Sequence, residues 1–255
     1  MSAVATPPTS PTPTSVTECR GGCVVLLAIG LAHYRALMSF EGWLADTRTS
    51  YDTVAVSYAD FVRDALLDQP YVLSALALFA DSVRAVGGGS VADVGCGPGD
   101  ITARLHELGV DAFGIDLSAG MIDVARRAHP GLRFDVGSMT DLDLPAESVA
   151  GLLAWWSLIH IPDKEVPTVL GHFFRVLCPG GPLLLGFHIG DQTRLKTAGY
   201  GGHSMKVYVH RRQPEQVAAW LRDAGFDIEA ALTIEPDRNV PGDIPGAILF
   251  ARRRS

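Results

Sequence analysis

Positive charge is what this sequence lacks most clearly. Its 255 residues include 28 acidic and only 21 basic side chains, which gives a formal net charge of -7. A protein that binds a nucleic-acid backbone needs a broad positive surface. The only basic cluster, residues 252–254, is interpreted as a solvated tail. The composition therefore argues against a nucleic-acid partner and is typical of one globular domain.

Cysteines and long apolar runs are also scarce. The run at residues 23–32 is about half of the roughly 20 residues that a membrane span requires, so we expect no membrane partner. None of the four cysteines has the spacing of a zinc site. We expect free thiols in a reducing compartment, the cytoplasm, for Cys19, Cys23, Cys96 and Cys178.

The N-terminal segment differs in composition from the rest of the chain. Residues 1–17 are rich in proline, threonine and serine, so we expect disorder there. The segment before the apolar run lacks the clear positive charge of a signal peptide. Because the composition changes abruptly at Met38, we hypothesise that the natural start is Met38. We thus expect an extension at 1–37 and a folded domain at 38–255.

Strands and helices alternate through most of the chain. Two helices come first, at 51–67 and 71–86, with a break at Gln69 and Pro70. Further helices are predicted at 101–108, 118–128, 164–177 and 215–224. Strands are predicted at 90–94, 111–117, 132–136, 149–156, 182–188, 226–234 and 247–252. The alternation indicates a mostly parallel sheet with helices on both faces, whose ligands bind beyond the carboxyl ends of the strands.

The strongest functional signal is a strand that runs directly into a glycine-rich turn. The last two residues of this strand are Asp93 and Val94. Gly95, Gly97 and Gly99 follow before a helix begins. Glycines let the backbone bend sharply and leave space for a ligand. The spacing G-x-G-x-G is one residue shorter than the dinucleotide fingerprint. By itself, such a turn is equally consistent with a plain strand–helix connection.

A carboxylate on the next strand strengthens the functional interpretation. Asp116 ends the second predicted strand, 21 positions after Gly95. A carboxylate there can accept hydrogen bonds from both ribose hydroxyls of an adenosine. Its structural alternative is an acid near the helix start at Ser118. Together with the glycine turn, Asp116 predicts an adenosine-containing cofactor.

These motifs, taken in order, resemble those of class I S-adenosylmethionine-dependent methyltransferases, in their small-molecule branch. The segments that carry the resemblance are residues 51–58, 93–99, 114–121, 135–139, 144–145, 174–181 and 220–226. The resemblance implies an α/β, Rossmann-like, doubly wound sheet of strand order 3-2-1-4-5-7-6. It further implies that strand 7 is antiparallel, that helices at 51–86 cover the site, and that S-adenosyl-L-methionine is the cofactor.

The resemblance also assigns cofactor-binding residues. Those implied at the methionine and ribose part are Asp93, Gly95, Cys96, Gly97, Gly99 and Asp116. Those implied near adenine are Leu117, Met121, Ser138 and Met139. Many relatives carry an acid where Ser138 stands, so its contact with adenine lacks charge assistance.

Three aromatic residues are further candidates for the methionine end of the cofactor. Trp155 follows the fourth strand, and an aromatic face attracts a sulfonium as it does an ammonium. Tyr51 and Tyr58 share one helix face, from which a hydroxyl would reach the cofactor carboxylate. The alternative for all three is a place in the core. For the neighbouring Trp156, a place in the core is the interpretation that we prefer.

Methyl transfer is an in-line displacement that requires alignment and exclusion of water, with no covalent residue and no metal. A base contributes when the acceptor must lose a proton early. His188, at the end of the fifth strand, is the first candidate for a catalytic and substrate-contacting residue. His160 is a second catalytic candidate. His203 is a second candidate for contact with the substrate, and it lies together with His210 in a segment that would form a lid. Any of them alone would more often be structural or exposed.

Two other classes of protein share parts of this pattern. A non-catalytic module could keep the fold and the cofactor site without turnover. A nicotinamide-dependent oxidoreductase is disfavoured by the shortened glycine spacing and by Asp93. The expected substrate is a small organic acceptor, because the domain is compact and has no basic groove. The acceptor atom (oxygen, nitrogen or carbon) and the oligomeric state stay open.

Overall fold

A computed structural model of the chain describes residues 42–66, 69–236 and 244–255. The predictions for residues 1–37, including Cys19 and Cys23, and for Met38 lie outside these ranges. Two helices precede the sheet: α1 (Trp43–Leu66) and α2 (Pro70–Ala85). Helix α1 begins before the predicted residue 51 because Trp43 packs against the main core, a contact that local sequence does not show.

Seven strands form the main sheet. They are β1 (Ser90–Val94), β2 (Asp111–Asp116), β3 (Phe134–Val136), β4 (Gly151–Trp155), β5 (Pro182–His188), β8 (Phe226–Ile234) and β9 (Gly246–Arg253). The helices between them are α3 (Asp100–Glu107), α4 (Ala119–Ala128), α5 (Val166–Val176) and α6 (Pro214–Asp223). One-turn helices at Leu158–His160 and Asp163–Glu165 follow β4.

The order of the main sheet is β3-β2-β1-β4-β5-β9-β8. Strands β1 to β5 pair in parallel, whereas β9 is antiparallel to both of its neighbours. Since β8 and β9 are the sixth and seventh strands of this sheet, the predicted order and the antiparallel seventh strand are confirmed. Strand β3 begins at Phe134 and not at the predicted residue 132, because only Phe134–Val136 pair with β2.

The sheet is covered on both faces, as the near-continuous apolar strands predict. On one face, Leu152 of β4 and Leu185 of β5 pack with Phe173 of α5. On the other face, Leu153 of β4 packs with Phe79 of α2. Neighbouring residues of one strand thus belong to opposite layers, and together the two layers fix the positions of the strand ends.

The sequence interpretation missed a separate hairpin of β6 (Thr193–Gly199) and β7 (His203–His210). Strand β7 buries Met205 and Val207 against Val54 of α1, so the hairpin packs on the covering helix. Its turn contains Gly201 and Gly202, both with positive φ. That glycine pair between alternating residues was the available signal.

Candidate functional site

A cavity of about 720 Å³ lies under α1, at the carboxyl ends of β1, β2 and β4. Eleven of the residues selected from the sequence line it: Tyr51, Tyr58, Gly95, Gly97, Asp116, Leu117, Met121, Ser138, Met139, Trp155 and His160. The fold therefore brings residues from α1, the glycine turn and several strand ends to one site.

The glycine turn has the geometry that only glycine permits. Gly95 has a φ of +81°, and a Cβ there would lie 2.2 Å from Ser157 Cβ. Gly97 has a φ of +55°, and its backbone N–H donates to Asp116 Oδ2 over 2.8 Å. A side chain at either position would distort the backbone, so the close approach of the turn to the cavity depends on both glycines.

Asp116 is anchored by the backbone and keeps capacity for a ligand. Its Oδ2 accepts from Gly97 N–H and its Oδ1 accepts from Ser118 N–H, each over 2.8 Å. Burial raises the pKa of this carboxyl to about 6, against the lowering effect of the backbone hydrogen bonds. Each ionised carboxylate oxygen accepts two hydrogen bonds, so one site per oxygen stays available to ribose hydroxyls.

A second cavity, of about 360 Å³, adjoins the same turn and is lined by Asp93, Cys96 and Trp155 among others. Thr102 Oγ1 donates to Asp93 Oδ2 over 2.7 Å. The other carboxylate oxygen, Asp93 Oδ1, and the indole Nε1 of Trp155 are buried without a hydrogen-bond partner among the described residues. Burial raises the pKa of Asp93 to about 7.

These two unpartnered atoms are suited to bind the two charged groups of an amino acid. An acceptor and a donor would face the α-ammonium and the α-carboxylate of a methionine group respectively. Asp116 in the neighbouring cavity would hold the ribose. The residues present therefore fit S-adenosylmethionine, with its polar ends divided between the two cavities.

Two of the turn residues have mainly structural contacts. Gly99 has a φ of +89° and lines neither cavity; a Cβ there would lie 2.7 Å from the ring of Phe134. The Cys96 thiol packs against Gly114 and Phe134, and burial raises its pKa. Both residues thus hold the turn against β2 and β3.

Asp52, which the sequence interpretation missed, ties α1 to the start of α4. Ser118 caps α4, as predicted, by accepting from Met121 N–H over 3.0 Å. Asp52 Oδ1 accepts from Ser118 Oγ over 2.6 Å and from Gly120 N–H over 2.9 Å. Near Ser138, the hydroxyl lies 2.8 Å from Thr140 Oγ1, which stabilises the turn at the expected adenine edge.

His160 is the candidate base that the fold brings to the main cavity. Its Nδ1 lies 2.9 Å from the backbone oxygen of Tyr208, and its Nε2 lies 2.7 Å from the hydroxyl of Tyr51. Because a carbonyl oxygen only accepts, Nδ1 carries the hydrogen and Nε2 accepts from Tyr51. Burial lowers the pKa of His160 to about 4 and raises that of Tyr51, so both groups are neutral at physiological pH.

Arg212 positions the turn that carries His160. It is almost fully buried, and its guanidinium donates to the backbone oxygens of Leu158, over 3.0 Å, and of Ile161. Its Nε donates to Asp163 Oδ1 over 3.0 Å. These bonds fix the backbone on both sides of His160, and no sequence motif marked Arg212.

The other two histidine candidates are not among the residues that line the main cavity. His188 Nδ1 accepts from Trp156 Nε1 over 3.1 Å, and His188 is not part of the cavity lining. His203 begins β7 as an exposed residue, with its Nε2 3.4 Å from Ser57 Oγ. Trp156 lies against Gly186 in the core, and it also lines the cavity, which the sequence interpretation did not expect.

Two features are absent from the part of the chain that the structure describes. None of the helices there is both long and apolar enough to cross a membrane. No group of three or more histidine, cysteine, aspartate or glutamate side chains in those residues is arranged to hold a metal ion.

Comparison with known proteins gives the same assignment. A family model described as a methyltransferase domain matches residues 91–181. The ubiquinone biosynthesis O-methyltransferase of Xanthomonas axonopodis pv. citri is 30% identical over 170 residues, which cover 60% of this chain and 69% of that protein. Phosphoethanolamine N-methyltransferase 3 of Arabidopsis thaliana is 30% identical over 162 residues, 58% of this chain and 31% of that protein.

The fold comparison agrees. The Burkholderia thailandensis 1,6-didemethyltoxoflavin-N1-methyltransferase, solved with its substrate and S-adenosylhomocysteine, superimposes with a TM-score of 0.58 at 22% identity. The match covers 81% of this chain and 88% of that one. Fold and site together define a Rossmann-like protein that uses S-adenosylmethionine. The chain belongs to the S-adenosylmethionine-dependent methyltransferase family and is an enzyme of that family.

Proposed function

We propose that this enzyme methylates a small-molecule acceptor and that Tyr51 and His160 together remove the acceptor's proton. The observation that carries the proposal is the hydrogen-bonded chain from Tyr51 through His160 to the Tyr208 carbonyl. Tyr51 and His160 line the same cavity as Asp116 and the glycine turn. The base and the cofactor residues therefore face one enclosed space.

The cofactor would be held by the residues that line the two cavities. Asp116 would accept from the ribose hydroxyls, and Leu117 and Met121 would pack on adenine beside Ser138 and Met139. Asp93 and Trp155 would bind the charged ends of the methionine part. Bound S-adenosylmethionine supplies an electrophilic methyl group on a sulfonium, and the aromatic faces of Tyr58 and Trp155 favour that cation.

The proton path follows from the tautomer of His160. The acceptor's hydrogen would bond to the Tyr51 oxygen, which already donates its own hydrogen to His160 Nε2. As the acceptor gains the methyl group, its proton passes to Tyr51 while the Tyr51 proton passes to His160. For an oxygen acceptor, a base with a pKa of about 4 suffices, because the proton on a methylated, positively charged oxygen is strongly acidic.

The acceptor class is supported by charge and by relatives. The net charge of -7 disfavours nucleic acid, and the relatives named above act on small molecules according to their names. Those relatives differ in acceptor atom, so oxygen and nitrogen both stay open. We also propose that the enzyme works in the cytoplasm, where its cofactor is made. The free thiols Cys96 and Cys178 are consistent with a reducing compartment.

Calorimetric titration with S-adenosylmethionine tests the cofactor site. We expect saturable binding that weakens at least about tenfold in Asp116→Asn, because one ribose acceptor is lost. Asp111→Asn is the matched control, since Asp111 lies at the opposite end of the same strand and carries the same charge. Equal binding by wild type and Asp116→Asn would contradict the assignment.

A screen of phenols and amines for S-adenosylhomocysteine release then tests turnover. With an acceptor in hand, we expect Tyr51→Phe to lower kcat about a hundredfold or more, because general-base catalysis contributes that much. The exposed Tyr71→Phe is the control. Weaker cofactor binding with unchanged kcat in Tyr51→Phe would instead make Tyr51 a cofactor contact. Binding without any turnover across the screen would favour the non-catalytic alternative.

A further inference from the structure

Arg48 stands out among the side chains that line the main cavity. It lies on α1 and is the only lysine or arginine of the described lining. His160, the other basic residue there, is neutral at physiological pH. Arg48 is exposed, which places its guanidinium at the cavity mouth.

The guanidinium of Arg48 is available to a ligand. No hydrogen bond or ion pair joins it to any other part of the chain that the structure describes. Arginines elsewhere are mostly paired: Arg84 bonds Asp81, Arg104 bonds Glu107 and Arg212 bonds Asp163. Because Arg48 has no such partner among the described residues, its guanidinium can bind an anionic group at the mouth of the cavity.

The cofactor does not supply that partner. Its only anionic group is the methionine carboxylate. Trp155 lines both cavities, but Asp93, the expected partner of the ammonium group, lines only the second, so the methionine part would lie there. Arg48 does not line that second cavity. The adenosine part of the cofactor carries no negative charge, so an anion at Arg48 has to come from the acceptor.

The position of Arg48 suits an acceptor that also reaches the proposed base. Arg48 and Tyr51 are three residues apart on α1 and line the same cavity, about 4.5 Å apart along the helix axis. Trp43, Leu44 and Trp156 provide apolar lining around them. An acceptor whose acidic group binds Arg48 would therefore place its apolar body in the cavity and its nucleophilic atom near Tyr51.

We propose that the methyl acceptor carries a carboxylate or phosphate group, bound by Arg48, next to an apolar or aromatic body. The planar guanidinium matches either group in a two-point hydrogen-bonded pair. This inference rests on the proposed function, because it takes the cavity beside Tyr51 as the acceptor site.

Binding of paired probes tests the inference without any turnover. The protein is saturated with S-adenosylhomocysteine and titrated by calorimetry with para-hydroxybenzoate, para-hydroxyphenylacetate and phenyl phosphate. Phenol and the methyl esters of the two carboxylates are the neutral counterparts. We expect the acids to bind about tenfold more tightly than the neutral probes, and less so at high salt. Arg48→Gln should abolish this preference, and Arg48→Lys should restore part of it.

Arg127→Gln is the matched control, because Arg127 is an exposed arginine on α4 that does not line the cavity. It should keep the preference for acids. Equal binding of acids and neutral probes, binding of none of them, or a preference that survives Arg48→Gln would overturn the inference. Loss of S-adenosylhomocysteine affinity in Arg48→Gln would also overturn it, by placing Arg48 at the cofactor. Wild-type protein that fails to bind S-adenosylhomocysteine would instead refute the proposed function itself.

Discussion

Asp93 is fully buried on β1, and its Oδ1 has no hydrogen-bond partner among the described residues. Burial destabilises the ionised form of this carboxyl, so its pKa is raised to about 7. The native state therefore holds a proton that the unfolded chain releases near pH 4. Between about pH 4 and pH 7, the free energy of unfolding should fall as the pH rises. Asp116, with a pKa of about 6, contributes in the same direction.

Asp93→Asn should separate stability from binding. Its amide oxygen can still accept from Thr102, but the residue no longer titrates. In the wild type, the free energy of unfolding should fall between about pH 5 and pH 8. In Asp93→Asn we expect this fall to be about 2 kcal/mol smaller, measured by urea denaturation. Affinity for S-adenosylmethionine should fall about tenfold, because the acceptor for the ammonium group is lost. An unchanged pH slope would show that Asp93 is not the titrating residue.

At the scale of elements, α1 is the part that completes the site. Close to its middle it is tied to α4 by Asp52 and to β7 by Ser50, whose hydroxyl accepts from Lys206 N–H over 2.8 Å. Lys206 also pairs with Asp46 over 2.8 Å. The helix thus spans from the ribose side of the cavity to the hairpin, and it carries Arg48 and Tyr51 between these contacts.

Asp52→Ala should loosen α1 without removing a cavity-lining residue. Two hydrogen bonds to the start of α4 are lost, so we expect stability to fall by about 1–2 kcal/mol. Hydrogen exchange, followed by mass spectrometry, should become faster in α1 than in the sheet. The control is Asp81→Ala on α2, where the exposed acid pairs only with Arg84. Equal exchange of α1 in both variants would contradict the proposed tie.

At the scale of the whole molecule, the cofactor should stabilise the folded domain. It would contact α1, the glycine turn and the ends of several strands, and would satisfy buried groups such as Asp93 Oδ1 and Trp155 Nε1. A ligand at about a hundredfold above its Kd stabilises by about 2.7 kcal/mol. For a domain of this size, S-adenosylhomocysteine should then raise Tm by about 5–10 °C, measured by calorimetry. No shift at saturation would refute binding to the native state.

The agreement between sequence and structure differs from one part of the molecule to another. The main strands were predictable because each is a short apolar run beside a turn signal, as in Pro182–His188, whose limits match. The glycine turn and Asp116 were predictable because their contacts are local or repeat a known spacing. The β6–β7 hairpin was missed because β6 has no buried residue and β7 buries Met205 and Val207 against α1, a contact that local sequence does not show.

The proposed pair of Tyr51 and His160 could not be selected from sequence. Tyr51 and His160 are 109 positions apart, and their hydrogen bond depends on α1 crossing the end of β4. Strand position favoured His188, but in the fold its ring accepts from Trp156 and does not itself line the cavity. The lack of a partner for Arg48 among the described residues and the buried network of Arg212 are likewise properties of packing.

The sequence alone determined the α/β class and located the glycine turn, because periodicity and glycine spacing act over short stretches of chain. The strand order was implied by the resemblance to a known family. Only the tertiary structure decided which histidine bonds to Tyr51, which acid has no partner among the described residues and which arginine lines the cavity. Those are relations between side chains far apart in the chain. Their pKa values, hydrogen bonds and exposure are set by the burial that folding creates.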